Sequence, residues 1–418
     1  MTSKLILVTG ATGYIASRLI PRLLECGYRV RALARHPERL KARKWFSQVE
    51  MVQGDVMIPD TLIPALNGIH TAYYLIHSMS SGHGYTSLEL EGARNFANAA
   101  EHAGIEHIIY LGGLADPEQH IAPHMRSRIE TGVTLRQGKI PVTEFRAGVI
   151  AGAGSISFEM IRFMTELLPV IPGPVWLKHK SQPIAVQNIV DYLLAALTNP
   201  NGRGQVFEIG GPEIFTYQKM MQTYARVRGH KRSFLLLPYV PVWFMAFGIG
   251  LTTPVPYPIA FALVGGLSSD SLVLHGDSGK TFPEVRLVDF ESAVREAMKR
   301  LHPLEIERVW EDGQKQAGSL KHEGFFIHHC EMQVNAAPEN IIAAIKRSRR
   351  EVDSHLLSNS KYRFGEAWLE WRAHNGRLTQ TAYFAPRGLG GFLYWYLLYP
   401  FHLFRFSRLI KTISGTIE

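Results

Sequence analysis

Residues 4–16, KLILVTGATGYIA, join a short apolar strand to a glycine-rich turn that opens a helix. No other segment of the chain constrains its fold as tightly. Leu5, Ile6, Leu7 and Val8 form a continuous apolar run, the pattern of a strand buried on both faces of a parallel sheet. Gly10 permits a tight turn. Gly13 removes a side chain where an anion must approach the helix N-terminus, and Ala16 allows close helix–strand packing. A pyrophosphate at that helix end gains from free N–H groups and from the helix dipole. Leu19, Ile20, Leu23 and Leu24 then follow at helical spacing. Gly10, Thr12, Gly13, Tyr14 and Ile15 are therefore candidate dinucleotide-binding residues.

Residues 29–34, RVRALA, alternate as a second strand, and Arg35 closes it. A carboxylate there would bind the adenosine ribose hydroxyls of NAD, whereas arginine accommodates the 2′-phosphate of NADP. With Arg35 and His36 in place and no acid before Glu38, the sequence favours NADP(H) over NAD(H). A third strand at 49–53 leads to Gly54-Asp55-Val56. Asp55 either accepts from the adenine amino group, beside Val56, or caps the helix that begins near Asp60.

Strands and helices alternate over the first 150 residues: a helix at 60–67, a strand at 71–76, a helix at 86–104, a strand at 107–111, a helix at 124–138 and a strand at 140–146. This order predicts an α/β fold with a doubly wound, Rossmann-type parallel sheet. Short strands at 182–186 and 205–209 flank a helix at 187–198. A length of 418 residues favours more than one domain. The expected boundaries are 1–300 for the nucleotide-binding domain, with its substrate and lid part at 151–300. A charged linker at 301–322 and a smaller unit at 323–418 follow.

Residues 233–269 contain no Lys, Arg, Asp, Glu or His. Their length would suffice to span a bilayer, but Pro238, Pro241, Pro254, Pro256 and Pro258 oppose one unbroken helix. A helical lid over an apolar substrate pocket is expected, with an interfacial patch or a true span as alternatives. The smaller unit shows a strand at 325–334, a helix introduced by Pro338, strands at 367–372 and 378–385, and a strongly aromatic terminal segment. That last segment either closes a cavity or dips into lipid, with Arg405, Arg408 and Lys411 at headgroup level.

Two cysteines, Cys26 and Cys330, form no pattern, which fits a reducing compartment and argues against a thiolate metal site. No signal peptide is recognisable, so a cytoplasmic location is expected, with peripheral contact at the inner face of a membrane as an option. The net charge of +9 is scattered rather than arrayed along a groove-reading helix, which excludes nucleic acid as the expected partner. HGDSGKT at 275–281 ends like a phosphate loop, but Leu274 stands where its first glycine belongs. His328 and His329 are adjacent in a strand and face opposite ways, so no metal site is expected.

With TGATGYI at 9–15, Asp55 and the YLGGL strand end at 110–114, the chain resembles the short-chain dehydrogenase/reductase superfamily, and within it the atypical branch. HMRSRIETG, FRAGVIAGAGSISFEMIR and QPIAV are similar to segments of bacterial members known only as NAD(P)-binding proteins. The resemblance covers roughly residues 1–300. It implies a C-terminal START-like, helix-grip domain, of which FAPRGLGGFLYWYLLYPFH resembles the end. Here too few strand candidates are recognisable for a complete sheet, so a shortened α+β unit is expected.

Active members of the superfamily use a serine or threonine, a tyrosine and a lysine. The resemblance places Gly112-Gly113 where the hydroxyl belongs and His124-x-x-x-Arg128 where Tyr-x-x-x-Lys belongs. Histidine can donate a proton near neutral pH, and Arg128 can hold the nicotinamide ribose, whereas arginine is no tunable acid. His124 and Arg128 are the catalytic candidates, with the alternative that they are polar residues at a helix start. His77 and Ser78, following the fourth strand, belong near the nicotinamide side. Two functions are thus expected: an NADP(H)-dependent reductase of an apolar carbonyl, quinone-like or lipid-like substrate, or a non-catalytic NADP(H)-binding sensor, assembly factor or lipid binder at a membrane surface.

Overall fold

A computed structural model describes residues 4–41, 43–77, 85–116, 118–119, 121–252, 255, 257–267, 269–306, 318–322, 324–334, 356–374 and 377–415. Seven strands form one parallel sheet: β1 (Leu5–Val8), β2 (Arg29–Ala34), β3 (Glu50–Gln53), β4 (Thr71–Tyr74), β5 (His107–Gly113), β6 (Val142–Ala147) and β7 (Val206–Ile209). Their spatial order is β7-β6-β5-β4-β1-β2-β3, every pair parallel. The chain reverses its direction of winding between β1 and β4. That is the switch point at which open α/β sheets bind ligands beyond the strands' carboxyl ends.

The helices of this part are α1 (Tyr14–Glu25), α2 (Leu62–Leu66), α3 (Tyr85–Ala103), α4 (Pro123–Arg136), α5 (Ile156–Leu167) and α6 (Val186–Thr198). β1 shows why its run is uniformly apolar. Ile6 and Val8 pack on one face with Leu19 and Leu23 of α1 and Leu193 of α6. Leu5 and Leu7 pack on the other with Leu62 of α2 and Phe96 of α3. Each fully buried aliphatic side chain contributes about 1.5–3 kcal/mol. Both faces of the strand therefore demand apolar residues.

The uncharged stretch is divided where its prolines fall. Ser233–Leu237 is a strand paired in parallel with Val170–Pro174. It follows α7 (Tyr217–Arg228) and precedes α8 (Val242–Thr252) and α9 (Tyr257–Gly266). Ala246 and Ile249 of α8 and Ala260 and Val264 of α9 are buried with Met160 of α5. Among the described residues no helix is long and apolar enough to cross a membrane. A further helix, α10 (Phe290–Lys299), places Phe290 and Val294 against Met220 and Tyr224 of α7.

The C-terminal part is a five-stranded antiparallel sheet: β8 (Gly318–His322), β9 (Phe325–Gln333), β10 (Leu356–Tyr362), β11 (Gly365–His374) and β12 (Arg377–Pro386). The order is β8-β9-β12-β11-β10. Two expectations are corrected here. The sheet begins inside the segment read as a linker at 301–322, because β8 pairs with β9 through Leu320 and Ile327. The supposed shortage of strands also disappears with β8 and β10, two edge strands whose sequences, GSLKH and LLSNSKY, carry little apolar alternation. The helix expected after Pro338 lies outside the described residues. The terminal helix α11 (Gly388–Gly415) lies on the sheet, with Phe392 and Trp395 buried against Phe326 and Phe384.

Helix α5 ties the two parts together. Arg162, 1% exposed, donates to Glu159 at 2.9 Å and to the Gly324 carbonyl at 2.8 Å, beside the start of β9. Phe163 packs edge-on against Phe326 and Phe392. Glu166 accepts from Tyr224 Oη at 2.8 Å, Arg228 Nε at 2.6 Å and the Gly388 N–H at 2.8 Å, and pairs with His230 Nε2 at 2.6 Å. Burial opposes ionisation of this carboxyl. The His230 and Arg228 hydrogen bonds, the Arg228 charge and the Gly388 amide outweigh it and hold the pKa far below the usual carboxylate range.

Glu166→Ala is expected to cost about 1.5–3 kcal/mol, because it leaves the half-buried Arg228 guanidinium without its counter-charge and Tyr224, His230 and the Gly388 N–H without their hydrogen-bond partner. Equilibrium urea unfolding measures this; a loss below about 1 kcal/mol would show that α11 docks by its aromatic face alone.

Candidate functional site

The glycine-rich turn sits at the switch point and is braced from below. Thr9, fully buried, donates through Oγ1 to the Tyr73 carbonyl at 3.0 Å and accepts from the Leu75 N–H at 3.0 Å. Gly10 has φ +62, and a Cβ there would lie 2.7 Å from the Leu75 carbonyl oxygen. Only glycine meets both demands. The Gly13 N–H closes the turn onto the Gly10 carbonyl at 2.8 Å, and Gly13 then serves as N-cap of α1 without a side-chain cap. An uncapped helix N-terminus over a side-chain-free turn fits a pyrophosphate.

Gly10, Gly13, Tyr14, Ile15, His77, His124 and Arg128 line one cleft of about 250 Å³. Thr12 is exposed at the tip of the turn. Arg35, Asp55 and Val56 follow the carboxyl ends of β2 and β3, the side on which an adenosine would extend. Arg35 is exposed, and the nearest downstream acid, Glu38, pairs with His36 at 3.2 Å. Asp55 caps locally: its Oδ1 accepts from the Met57 N–H at 3.0 Å, and its N–H donates to Thr61 Oγ1 at 2.9 Å. Val56 is a core residue, and its carbonyl accepts from Asn95 Nδ2 at 2.9 Å. Ser78 lies outside the described residues.

The centre of the cleft is built from the end of β5 and the start of α4. A Cβ on Gly113 would come 2.8 Å from Met125 Cε and 3.1 Å from Arg128 Cδ. Glycine at the strand end and arginine on the helix are therefore a matched pair, since the arginine stem fills the space a hydroxyl side chain would need. Tyr110 Oη donates to the Arg128 carbonyl at 2.8 Å, and Ser127 donates to buried Glu89 of α3, so α4 is held on both sides. His124 is 4% exposed, with Gly266 of α9 seated on its ring and, among the described residues, no hydrogen-bond partner for Nδ1. Burial and then the Arg128 charge push its pKa down to about 4. The His77 ring is open to the cleft but surrounded by protein, and the same two causes push it to about 3. Both rings are neutral at pH 7. An orphaned buried nitrogen and a cation facing the turn fit a polar, anionic cofactor.

The far wall is apolar: Met160 and Met164 of α5, Met221 of α7, Met245 and Ile249 of α8, and Leu263 of α9. Sequence reasoning did not single these out, since methionines at helical spacing look like ordinary core. It also missed Tyr217, Asp270 and Ser271. Burial raises the Tyr217 pKa to about 12. Asp270 Oδ1 accepts from the Lys180 N–H at 2.7 Å, and Ser271 Oγ donates to the Leu114 carbonyl at 2.8 Å, so both polar groups hold loops.

A model of the NmrA-like family matches residues 2–261, and one described as a protein of unknown function (DUF2867) matches 334–409. The chain is 25% identical over 239 residues to the photosystem II assembly factor Ycf39 of Cyanophora paradoxa, covering 56% of this chain and 71% of that one. It is 29% identical over 242 residues to (4-alkanoyl-5-oxo-2,5-dihydrofuran-3-yl)methyl phosphate reductase of Streptomyces griseus, covering 55% and 76%. Among solved structures, the triphenylmethane reductase of Citrobacter sp. complexed with NADP(H) superposes with a TM-score of 0.57 at 21% identity. That match covers 70% of this chain and 99% of the other, and establishes the shared fold.

Gly10→Ala should abolish the thermal shift given by a nicotinamide dinucleotide while leaving a folded protein; an undiminished shift would remove the turn from the site. His124 should titrate near pH 4 by NMR. Because its folded pKa lies below the unfolded value of 6.5, its contribution to stability is complete above pH 6.5 and is lost as pH falls toward 4. The melting temperature of His124→Asn should accordingly fall less between those pH values than that of the wild type.

Proposed function

The chain belongs to the NmrA-like family, and on that premise we propose that it is an NADP(H)-dependent oxidoreductase acting on an apolar carbonyl or quinone-like acceptor. One observation carries this reading: a single cleft runs from the glycine turn, past His77, His124 and Arg128, to a wall of methionine and aliphatic side chains. A reduced nicotinamide bound there supplies hydride. Gly10 and Gly13 admit the pyrophosphate, and Arg35 pairs with a 2′-phosphate. Arg128 supplies fixed positive charge where an acceptor oxygen becomes anionic. His124 is neutral at pH 7, so its role is that of a polarising N–H donor rather than a charged acid. The methionines adapt to the shape of an apolar substrate and exclude water.

A second reading, a non-catalytic NADP(H)-binding sensor, assembly factor or lipid-binding protein, is supported by Gly112-Gly113, His124 and Arg128 where the resemblance to the superfamily calls for a hydroxyl, a tyrosine and a lysine. The similarity to an assembly factor favours it too.

Saturation with NADPH at about 100 times its dissociation constant should stabilise the fold by about 2.7 kcal/mol, with a smaller effect of NADH at equal concentration. Arg35→Asp should abolish that preference. Oxidation of NADPH by a panel of apolar quinones and aldehydes, followed by nicotinamide absorbance, should fall about 10²-fold in His124→Ala. Nucleotide binding without turnover across the panel would assign the second reading, and no shift with either nucleotide would defeat both.

A further inference from the structure

Helices α8 and α9 have two apolar sides. The inner side walls the cleft through Met245, Ile249 and Leu263. The outer side leaves Trp243, Phe244, Phe247 and Phe261 exposed, the first three each by more than half of their surface. A soluble surface does not normally present aromatic rings in such density. Helix α11 repeats the arrangement. Phe392, Trp395 and Ile410 face inward, while Leu393, Leu397, Phe401 and Phe404 form an exposed stripe at helical spacing on the opposite side. The exposed stripe ends among Arg405, Arg408 and Lys411, and no acid occurs in the 28 residues of α11. Among the described residues neither Arg405 nor Arg408 meets a carboxylate at ion-pair distance.

The two helical elements are neighbours through α5. Met160 and Met164 of α5 meet the α8–α9 pair, and Phe163, on the adjoining stripe of the same helix, meets Phe392 of α11. We propose that these outer faces form one docking surface for an anionic lipid bilayer, on which α11 lies in the interfacial plane and α8 inserts its aromatic rings. The composition is that of an interfacial helix: aromatic and aliphatic residues on one side, cations at headgroup level and no carboxylate. The charge argues against a second copy as occupant. A two-fold contact between copies of α11 would gather the cations of both helices in one interface, with no carboxylate on either helix to offset them. The three cations and Pro400 likewise exclude α11 as a span. Because α8 and α9 separate this surface from the cleft, an apolar substrate dissolved in the bilayer passes between these helices to reach the site. That consequence rests on the oxidoreductase reading; the docking surface does not.

The test is co-sedimentation of the full chain with vesicles of phosphatidylcholine alone and of phosphatidylcholine containing about one third phosphatidylglycerol. Binding is expected to the anionic vesicles, to weaken with salt, and to fall about fivefold for each of Arg405→Glu and Arg408→Glu. Phe401→Ser/Phe404→Ser and Trp243→Ser/Phe244→Ser should each reduce it at least about tenfold. Retention of the NADPH-induced melting shift shows that these variants fold, and its absence from the wild type would count against the nucleotide reading alone. In the wild type, brominated-chain lipid should quench tryptophan fluorescence, and Trp243→Phe should remove most of that quenching. Failure to bind anionic vesicles overturns the proposal, as does binding unchanged by all of the variants. A lipid-free dimer lost in the same variants would overturn it in favour of self-association.

Discussion

Arg162 is a fully buried guanidinium in the middle of helix α5, and much of the molecule is organised around it. An arginine cannot shed its charge when buried, so it must find acceptors. It finds one on its own helix, Glu159, and one in the C-terminal part, the Gly324 carbonyl. Glu159 in turn accepts from the Gly154 N–H at 3.1 Å, in the loop before α5. One turn further along, Glu166 gathers α7 and the first residue of α11. These buried charges fix how the antiparallel sheet sits on the nucleotide-binding part. The methionines of the same helix form the apolar wall of the cleft. A helix that carries both the junction between the two parts and a wall of the cleft cannot shift without disturbing both.

The cleft itself depends on two close approaches. At Gly10 the backbone passes the Leu75 carbonyl too closely for any side chain. At Gly113 the strand end leaves room that Met125 and Arg128 occupy. The first leaves a side-chain-free turn below an uncapped helix N-terminus, a geometry that fits an anion. The second brings the Arg128 stem against the end of β5 and so places a cation in the cleft. Burying His124 beneath α9 and beside Arg128 then keeps its ring neutral. Fixed positive charge and neutral donors suit stabilisation of a developing oxyanion.

Most of the parallel sheet was legible because its strands are short, apolar and separated by amphipathic helices. β1 is the clearest case, with four consecutive buried residues. Edge strands were harder to see. β8 and β10, GSLKH and LLSNSKY, carry little apolar alternation, and both were missed. The site was legible where backbone conformation demands a residue type, as at Gly10. It was not legible at the methionine wall, where six residues of four helices look like unremarkable core until the fold brings them together. Nor could the sequence reveal that Val56 points into the core while its neighbour Asp55 closes a turn.

By itself the sequence determined the strand–turn–helix junction at 4–16 and the alternation that builds a doubly wound sheet around it. Both are local: they follow from side-chain period and from where glycine alone fits. Five prolines in 233–269 also argued in the sequence against one unbroken helix there, although a true span stayed open as an alternative. Only the tertiary structure decided that Arg128 lies over Gly113, that α5 joins the two parts through buried charge, and that α8, α9 and α11 leave apolar faces uncovered. Those outcomes depend on which surfaces meet when separate elements pack together, and no local pattern encodes that.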